Sequence, residues 1–281
     1  MSDKIDRAAE RAAMERREGQ QVARRAMELF ASPVKGAFDV EHLRRVHAYL
    51  FQDTPRHYPG EIREDTGTWS KQRALEGKPG TYEVPYLADG VEARIKAVLD
   101  DFGGPAALRG LSADEAAAKL ARLYGDLDHA HGFYEGNSRT LREFTRSLAA
   151  EAGFTLDWIG TNVTAEQRNA LYAARDLEVI TRHYPGVTPE TAEDRRSYEA
   201  ALQAQSFRSG LGDHPLRDII RTGLQPAQTR DVTRTAAPET AAQHYWKTVA
   251  MKGQGSNSSG AREAAQDQSQ TYQSTRGPRL R

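Results

Sequence analysis

The stretch "HGFYEGNSRTLREF", His131 to Phe144, sets a histidine, an acid, a Gly-Asn pair and two arginines in front of a helical pattern. Downstream, Leu141, Phe144, Leu148 and Ala152 recur at helical spacing, and Gly153 supplies a stop. Upstream, "SADEAAAKLARLYGDLDHA" opens with Ser112 and Glu115 in capping-box spacing and offers Leu120, Leu123, Tyr124 and Leu127 as its buried stripe. The stretch is therefore a turn between two amphipathic helices, at the N-terminus of the second. Unpaired N–H groups and the helix dipole attract phosphate there. Gly136 allows close backbone approach, and Asn137 can cap the helix or offer its amide to a phosphate oxygen. Arg139 and Arg142 stand one helical turn apart and can fork onto one anion. Glu135 is an oxygen ligand suited to Mg2+, and His131, with an unperturbed pKa near ~6.5, can take a proton from a hydroxyl. Base, cation ligand and phosphate cradle together suit phosphoryl or nucleotidyl transfer, where positioning and charge neutralisation dominate.

Working outward, the rest of the chain reads as mostly helical. Residues 1–31 form an Ala, Arg and Glu-rich helix whose apolar anchors come late, so its first half is expected to be solvated. "FDVEHLRRVHAYLFQD" carries Val40, Leu43, Val46, Leu50 and Phe51 on one face, with Asp39 as N-cap. Residues 54–90 are punctuated by glycine and proline and predict a loop with a small β-hairpin. Further helices are predicted at "DGVEARIKAVLDDF", "TAEQRNALYAARDLEVITRHYP", "TAEDRRSYEAALQAQSF" and "HPLRDIIRTGL". His47, between Leu43 and Leu50, reads as a packed structural histidine, and His129 lacks the ligand spacing of a zinc site.

Composition narrows the function classes. Across 281 residues, 39 basic side chains balance 39 acidic ones, so net charge gives no reason to expect direct nucleic-acid binding. The absence of cysteine excludes disulfides and fits a reducing compartment. The start of the chain shows no apolar leader core, and no run approaches the roughly 20 apolar residues of a membrane helix. The expectation is a cytoplasmic chain without a membrane anchor. Residues 251–281, rich in Gly, Ser and Gln, are expected to be disordered; their basic excess leaves translocation as an effector open.

In order, His131, Gly132, Phe133, Tyr134, Glu135, Gly136, Asn137, Ser138, Arg139 and Arg142 resemble the Fic family motif His-Pro-Phe-x-Asp/Glu-Gly-Asn-Gly-Arg-x-x-Arg. A second stretch, with His47, Leu50 and Phe51 followed by the Pro59 to Arg63 turn, resembles the family's upstream helix. The resemblance implies a mostly α Fic-fold helical bundle with a small β-hairpin flap over residues 36–185. It is flanked by a helical extension at 1–35, another at 186–250 and the tail at 251–281. It further implies a protein adenylyltransferase, moving AMP from ATP-Mg2+ to a Ser, Thr or Tyr hydroxyl of a target protein. His131 would be the general base, Phe133 the buried anchor of the loop and Glu135 the holder of Mg2+. Gly136 and Asn137 would line the anion hole, with Ser138, Arg139 and Arg142 along the phosphates. The flap, through Trp69, Ser70, Lys71, Thr81, Tyr82 and Glu83, would pair with an extended target segment.

Two positions depart from the motif. Gly132 replaces proline, which loosens the start of the loop, and Ser138 replaces a glycine, which puts nucleotide choice in question. The alternatives are a Fic-fold phosphotransferase, a transferase of another nucleotide, or a non-catalytic peptide-binding module. The family's inhibitory pattern, Ser/Thr-x-x-x-Glu-Gly/Asn, is met only weakly by Thr235 to Glu239, which Thr240 follows. That resembles the toxin subgroup silenced by a separate antitoxin.

Overall fold

A computed structural model describes residues 2–227 of the chain. Among them are eight α-helices and two antiparallel strand pairs, the mostly α architecture the sequence predicts. The tail at 251–281 and the weak inhibitory match at Thr235 to Glu239 lie outside the described residues.

Helix α1 (Ser2–Ala31) joins the core only through its second half: Val22, Ala26 and Leu29 are buried, while residues 13–17 are exposed. It is tied to α2 (Val40–Phe51) by Arg25, whose Nε donates to Asp53 at 2.7 Å, and by the Tyr49 hydroxyl, which donates to Glu28. The carboxylate of Asp39 accepts from the His42 amide at 2.8 Å and starts α2, which buries Leu43, Val46, His47, Leu50 and Phe51. The hairpin follows as β1 (Ser70–Arg73) and β2 (Tyr82–Pro85), with Ser70 opposite Pro85 and Arg73 opposite Tyr82. Helix α3 (Val91–Phe102) stops at Gly103 and leads to α4 (Ala113–Ala130), opened by the reciprocal Ser112–Glu115 capping box.

Helix α4 is the centre of the bundle. It lies against α3, α5 (Asn137–Glu151), α6 (Ala165–His183) and α8 (Pro215–Gly223). Its alanines Ala116, Ala117 and Ala121 allow close helix approach, and Leu120, Tyr124 and Leu127 fill the remaining space. One core runs from Leu29 and Phe51 through Leu120 and Phe144 to Leu216, Ile220 and Leu224. The core thus extends past residue 185, and α8 is part of it. A smaller cluster joins α6 to α7 (Arg195–Leu211) through Leu177, Ile180, Ala204 and Phe207.

The second strand pair was not anticipated. Here β3 (Phe154–Leu156) pairs with β4 (Leu224–Pro226), Thr155 opposite Gln225. Three-residue strands carry no measurable period, and their partners stand far apart in sequence. The pair returns the chain to the end of α5 and closes the bundle beneath α4.

Candidate active site

The last residue before the loop sets its direction. His131 closes α4 in the left-handed conformation, φ 46°, its amide bonded to the Leu127 carbonyl at 3.1 Å. A non-glycine residue with positive φ is uncommon and must be held from outside. The buried guanidinium of Arg63 does this. Its Nε donates to the His131 carbonyl at 2.8 Å, while Nη2 reaches the carbonyls of Ala130 and Leu87. The Arg63 amide also donates to the Gly132 carbonyl at 2.8 Å. Trp69 covers this guanidinium at 4.6 Å, and burial lowers its pKa to about 10.

Phe133 turns inward and is buried, stacked on the His47 ring at 3.8 Å between centroids. His47 spans the loop: its Nδ1 accepts from the Gly60 amide and its Nε2 donates to the Glu135 carbonyl at 3.0 Å. Asn137 folds back on Phe133, accepting from its amide at 2.9 Å and donating to its carbonyl at 2.6 Å. Gly136 occupies the turn into α5 at φ 82°, where a Cβ would lie 2.1 Å from the Phe51 ring. Only glycine fits there.

Around this frame the charged groups converge. Lys71 of β1 comes down from the hairpin to within 3.8 Å of Glu135, and Arg139 donates to the same carboxylate at 3.3 Å. Desolvation works against the charge on Glu135, but Lys71 and Arg139 outweigh it and bring its pKa to about 2. Arg139 also lies over the Phe51 ring at 4.8 Å, and Arg142 donates to the Ser138 carbonyl. His131 is buried, 3.8 Å from the Tyr86 ring, and neither ring nitrogen has a hydrogen-bond partner. Burial, helped by Lys71, Arg63, Arg175 and Arg73, pushes its pKa well below the usual histidine value. The imidazole is therefore neutral at pH 7 and able to accept a proton.

Residues 37–149 match the family model described as Fic/DOC family. The chain carries a Fic/DOC domain. A protein adenylyltransferase, VbhT, of Bartonella schoenbuchensis is 31% identical over 134 residues, covering 48% of this chain and 26% of that protein. A probable protein adenylyltransferase Fic of Escherichia coli is 28% identical over 153 residues, covering 54% of this chain and 70% of its own. The chain thus spans about a quarter of the length of the first of these relatives. Among solved structures, the BepC effector of Bartonella tribocorum with bound AMPPNP shares the fold at TM-score 0.51 and 22% identity, covering 79% of this chain and 89% of its own. The Fic domain of a Bartonella quintana Bep effector with bound ADP gives TM-score 0.51 at 24% identity, covering 80% and 87%.

Within this Fic/DOC domain the motif residues His131, Phe133, Glu135, Gly136, Asn137, Ser138, Arg139 and Arg142 come together in one loop and the first two turns of α5. Several differ in placement from the sequence expectation. Asn137 does not cap α5; Gly136 takes that position, and the Asn137 amide is committed to Phe133. Gly132 is not a loose start to the loop, because Arg63 holds its carbonyl and the Ile95 methyl leaves a Cβ only 2.6 Å. The Ser138 hydroxyl lies 3.4 Å from the Tyr124 hydroxyl. In the hairpin, Ser70 and Thr81 are exposed, but Lys71 faces Glu135, Trp69 covers Arg63, and Tyr82 donates to Asp176 at 2.8 Å. The inward-facing half of the flap residues thus packs against the domain.

Glu135 is the one carboxylate of the loop, and among the described residues no group of three or more His, Cys, Asp or Glu gathers to hold a metal. With 46% of its side chain exposed, Glu135 fits a Mg2+ ion that draws most of its shell from phosphate oxygens and water. Sequence reading missed Asp128, Tyr86, Arg175 and the role of Arg63. Asp128 stands one turn before His131 and was open to detection; Arg175 comes from α6 and was not.

Proposed function

We propose that the chain is a protein adenylyltransferase that transfers AMP from ATP to a hydroxyl side chain of a target protein. The observation that carries this is the buried, neutral, unpartnered His131 beside a helix N-terminus flanked by Glu135, Arg139 and Arg142. The relatives named adenylyltransferase support the same reading.

The target hydroxyl would give its proton to a ring nitrogen of His131 as its oxygen attacks the α-phosphorus. The bond from that phosphorus to the oxygen bridging the β-phosphate breaks, and pyrophosphate leaves with the electron pair. The amides at the start of α5 take the α-phosphate, and Arg139 and Arg142 take the β- and γ-phosphates. Glu135 would hold Mg2+, which when bound neutralises phosphate charge and steadies the leaving group. Lys71 and Arg139 must yield the carboxylate as that happens. Phe133, His47 and Asn137 keep the loop in place, so that positioning costs nothing at the moment of reaction.

The exposed edge of β1, at Ser70, offers backbone groups for an added target strand. An inhibitory glutamate from a separate antitoxin would compete for Arg142. Toxin or effector use is consistent with this arrangement.

The test is incubation with Mg2+ and α-labelled ATP in a bacterial lysate, beside His131→Ala. A band labelled only by the wild type, with a target peptide heavier by one AMP, is expected. Label from γ-labelled ATP alone would make the chain a phosphotransferase, and no label from any nucleotide would leave a binding module.

A further inference from the structure

The loop explains what His131 faces on the substrate side; it leaves the other ring nitrogen unexplained. Buried polar atoms without partners are rare, and each needs an account. Below the ring lies a carboxylate. Asp128 Oδ1, one helical turn before His131 on α4, is 3.9 Å from His131 Nδ1, and both side chains are buried.

Asp128 itself is fixed. Arg175, on α6 and buried, donates Nε to Asp128 Oδ2 at 3.0 Å and Nη2 to Oδ1 at 2.8 Å. Those two bonds use half of the roughly four acceptor sites of a carboxylate. Oδ1 keeps capacity for one more donor, and Nδ1 is the nitrogen that faces it. A small rotation of the imidazole closes the gap, as active-site hydrogen bonds commonly do when substrate binds.

A buried ion pair is a poor source of stability, so its place beneath the base asks for a reason. A bare carboxylate there would raise the imidazole's pKa and favour the imidazolium at rest. Paired with Arg175, Asp128 offers an acceptor with its charge cancelled. The other charges around His131 are cationic: Lys71 and Arg73 from β1 and Arg63 from the loop after α2. The ring therefore stays neutral while its proton is directed to one nitrogen.

We infer that Asp128, held by Arg175, is a positioning residue that accepts the Nδ1–H of His131 and so leaves Nε2 unprotonated to take the target's proton. This rests on the reading of His131 as the general base. It is the logic of an acid that fixes a histidine's tautomer without itself taking the proton.

The experiment reads the tautomer directly, from ring 15N shifts of the full chain labelled at histidine, without nucleotide at pH 7. His131→Gln assigns the signal. The wild type is expected to carry its proton on Nδ1. Asp128→Glu keeps a carboxylate acceptor for the imidazole, whereas Asp128→Leu keeps none. Asp128→Glu should retain the Nδ1–H form. Asp128→Leu should shift His131 to the Nε2–H form and label target about 10- to 100-fold more slowly than Asp128→Glu, with unchanged apparent affinity for ATP. An Nε2–H signal in the wild type overturns the inference even if no variant folds. So does an Asp128→Leu protein that keeps Nδ1–H and matches Asp128→Glu in rate. A wild type that labels nothing strikes the proposed reaction instead, and leaves the tautomer result standing.

Discussion

The loop from His131 to Asn137 and the hairpin from Ser70 to Pro85 face one another across the site, yet they are held in different ways. In the loop the backbone is fixed at its apex. Arg63 takes the His131 carbonyl and its own amide the Gly132 carbonyl; Asn137 clasps both polar groups of Phe133, and His47 donates to the Glu135 carbonyl. In the hairpin four residue pairs make the ladder, and the hydrogen bonds that attach it to the bundle run mainly through side chains of α6. Arg73 and Tyr82 both bond Asp176, the Glu76 amide bonds Asn169, and Arg168 bonds the Glu76 carboxylate. The part that would do chemistry is over-determined by α2, α4 and its own turn. The part that would meet a target is held mainly by long side chains, to α6, to Phe207 of α7 and through Lys71 to Glu135, and these can yield.

The loop's rigidity should be most vulnerable at its one glycine without latitude. Gly136→Ala forces alanine into positive φ and drives its Cβ into the Phe51 ring, 2.1 Å away. The two costs together come to about 3–4 kcal/mol. Urea unfolding should show that loss along with a collapse of target labelling. A Gly136→Ala protein as stable as the wild type would mean that the loop shifts freely, and the contrast with the hairpin would fail.

Next in size is a pH effect that sits on the loop alone. Burial lowers the pKa of His47 from the usual 6.5 to about 4, since its Nδ1 accepts from Gly60 in the neutral form. Between those values the unfolded chain binds the proton and the folded one does not. The stabilisation is therefore present above pH 6.5 and lost as pH falls toward 4, by ~3 kcal/mol for a shift of this size. Unfolding free energies from urea titrations at pH 7 and 4.5 should differ by about 2.4 kcal/mol more in the wild type than in His47→Asn. Equal pH slopes would remove His47 from the account.

Smaller again is the cost of Asn137→Ala, which leaves the buried amide and carbonyl of Phe133 without partners. An unmade buried hydrogen bond costs about 1–3 kcal/mol, and the loss should appear in the same urea titration. Retained stability would mean that water or the His47 stack suffices to hold the turn.

The sequence exposed these two regions unequally. The loop's chemistry was legible because it is contiguous: one helix ends, six residues follow, and another helix starts with its arginines one turn apart. The helices were legible from periodicity and from Asp39 and Ser112 as caps. What holds the site was not, because its partners are remote in sequence. Arg63 reaches α4 over 68 residues, Arg175 reaches Asp128 over 47, and Arg73 reaches Asp176 over 103. No local pattern records such pairs. The same reason hid the inward turn of Lys71 and Tyr82: alternation along a four-residue strand says which residues share a face, but not which face meets the domain. Asn137 was misread for a different cause, since its side chain has two competing local uses and the sequence shows both.

The mildest change tests the hairpin's independence. Tyr82→Phe removes the hydroxyl that donates to Asp176 at 2.8 Å and leaves the ring against Phe207, so packing is kept. Asp176 retains Arg73, so no buried charge is orphaned. The expected loss is about 1 kcal/mol, the net worth of a typical intramolecular hydrogen bond, since Arg73 still serves the carboxylate. Because the hairpin opens apart from the bundle, that loss should appear locally. Amide exchange at Lys71 and Arg73 should quicken by about five-fold, while amides in the first turns of α5 exchange at the wild-type rate. If the α5 amides quicken equally, loop and hairpin open as one unit, and the division between a fixed chemical half and a yielding recognition half would have to be given up.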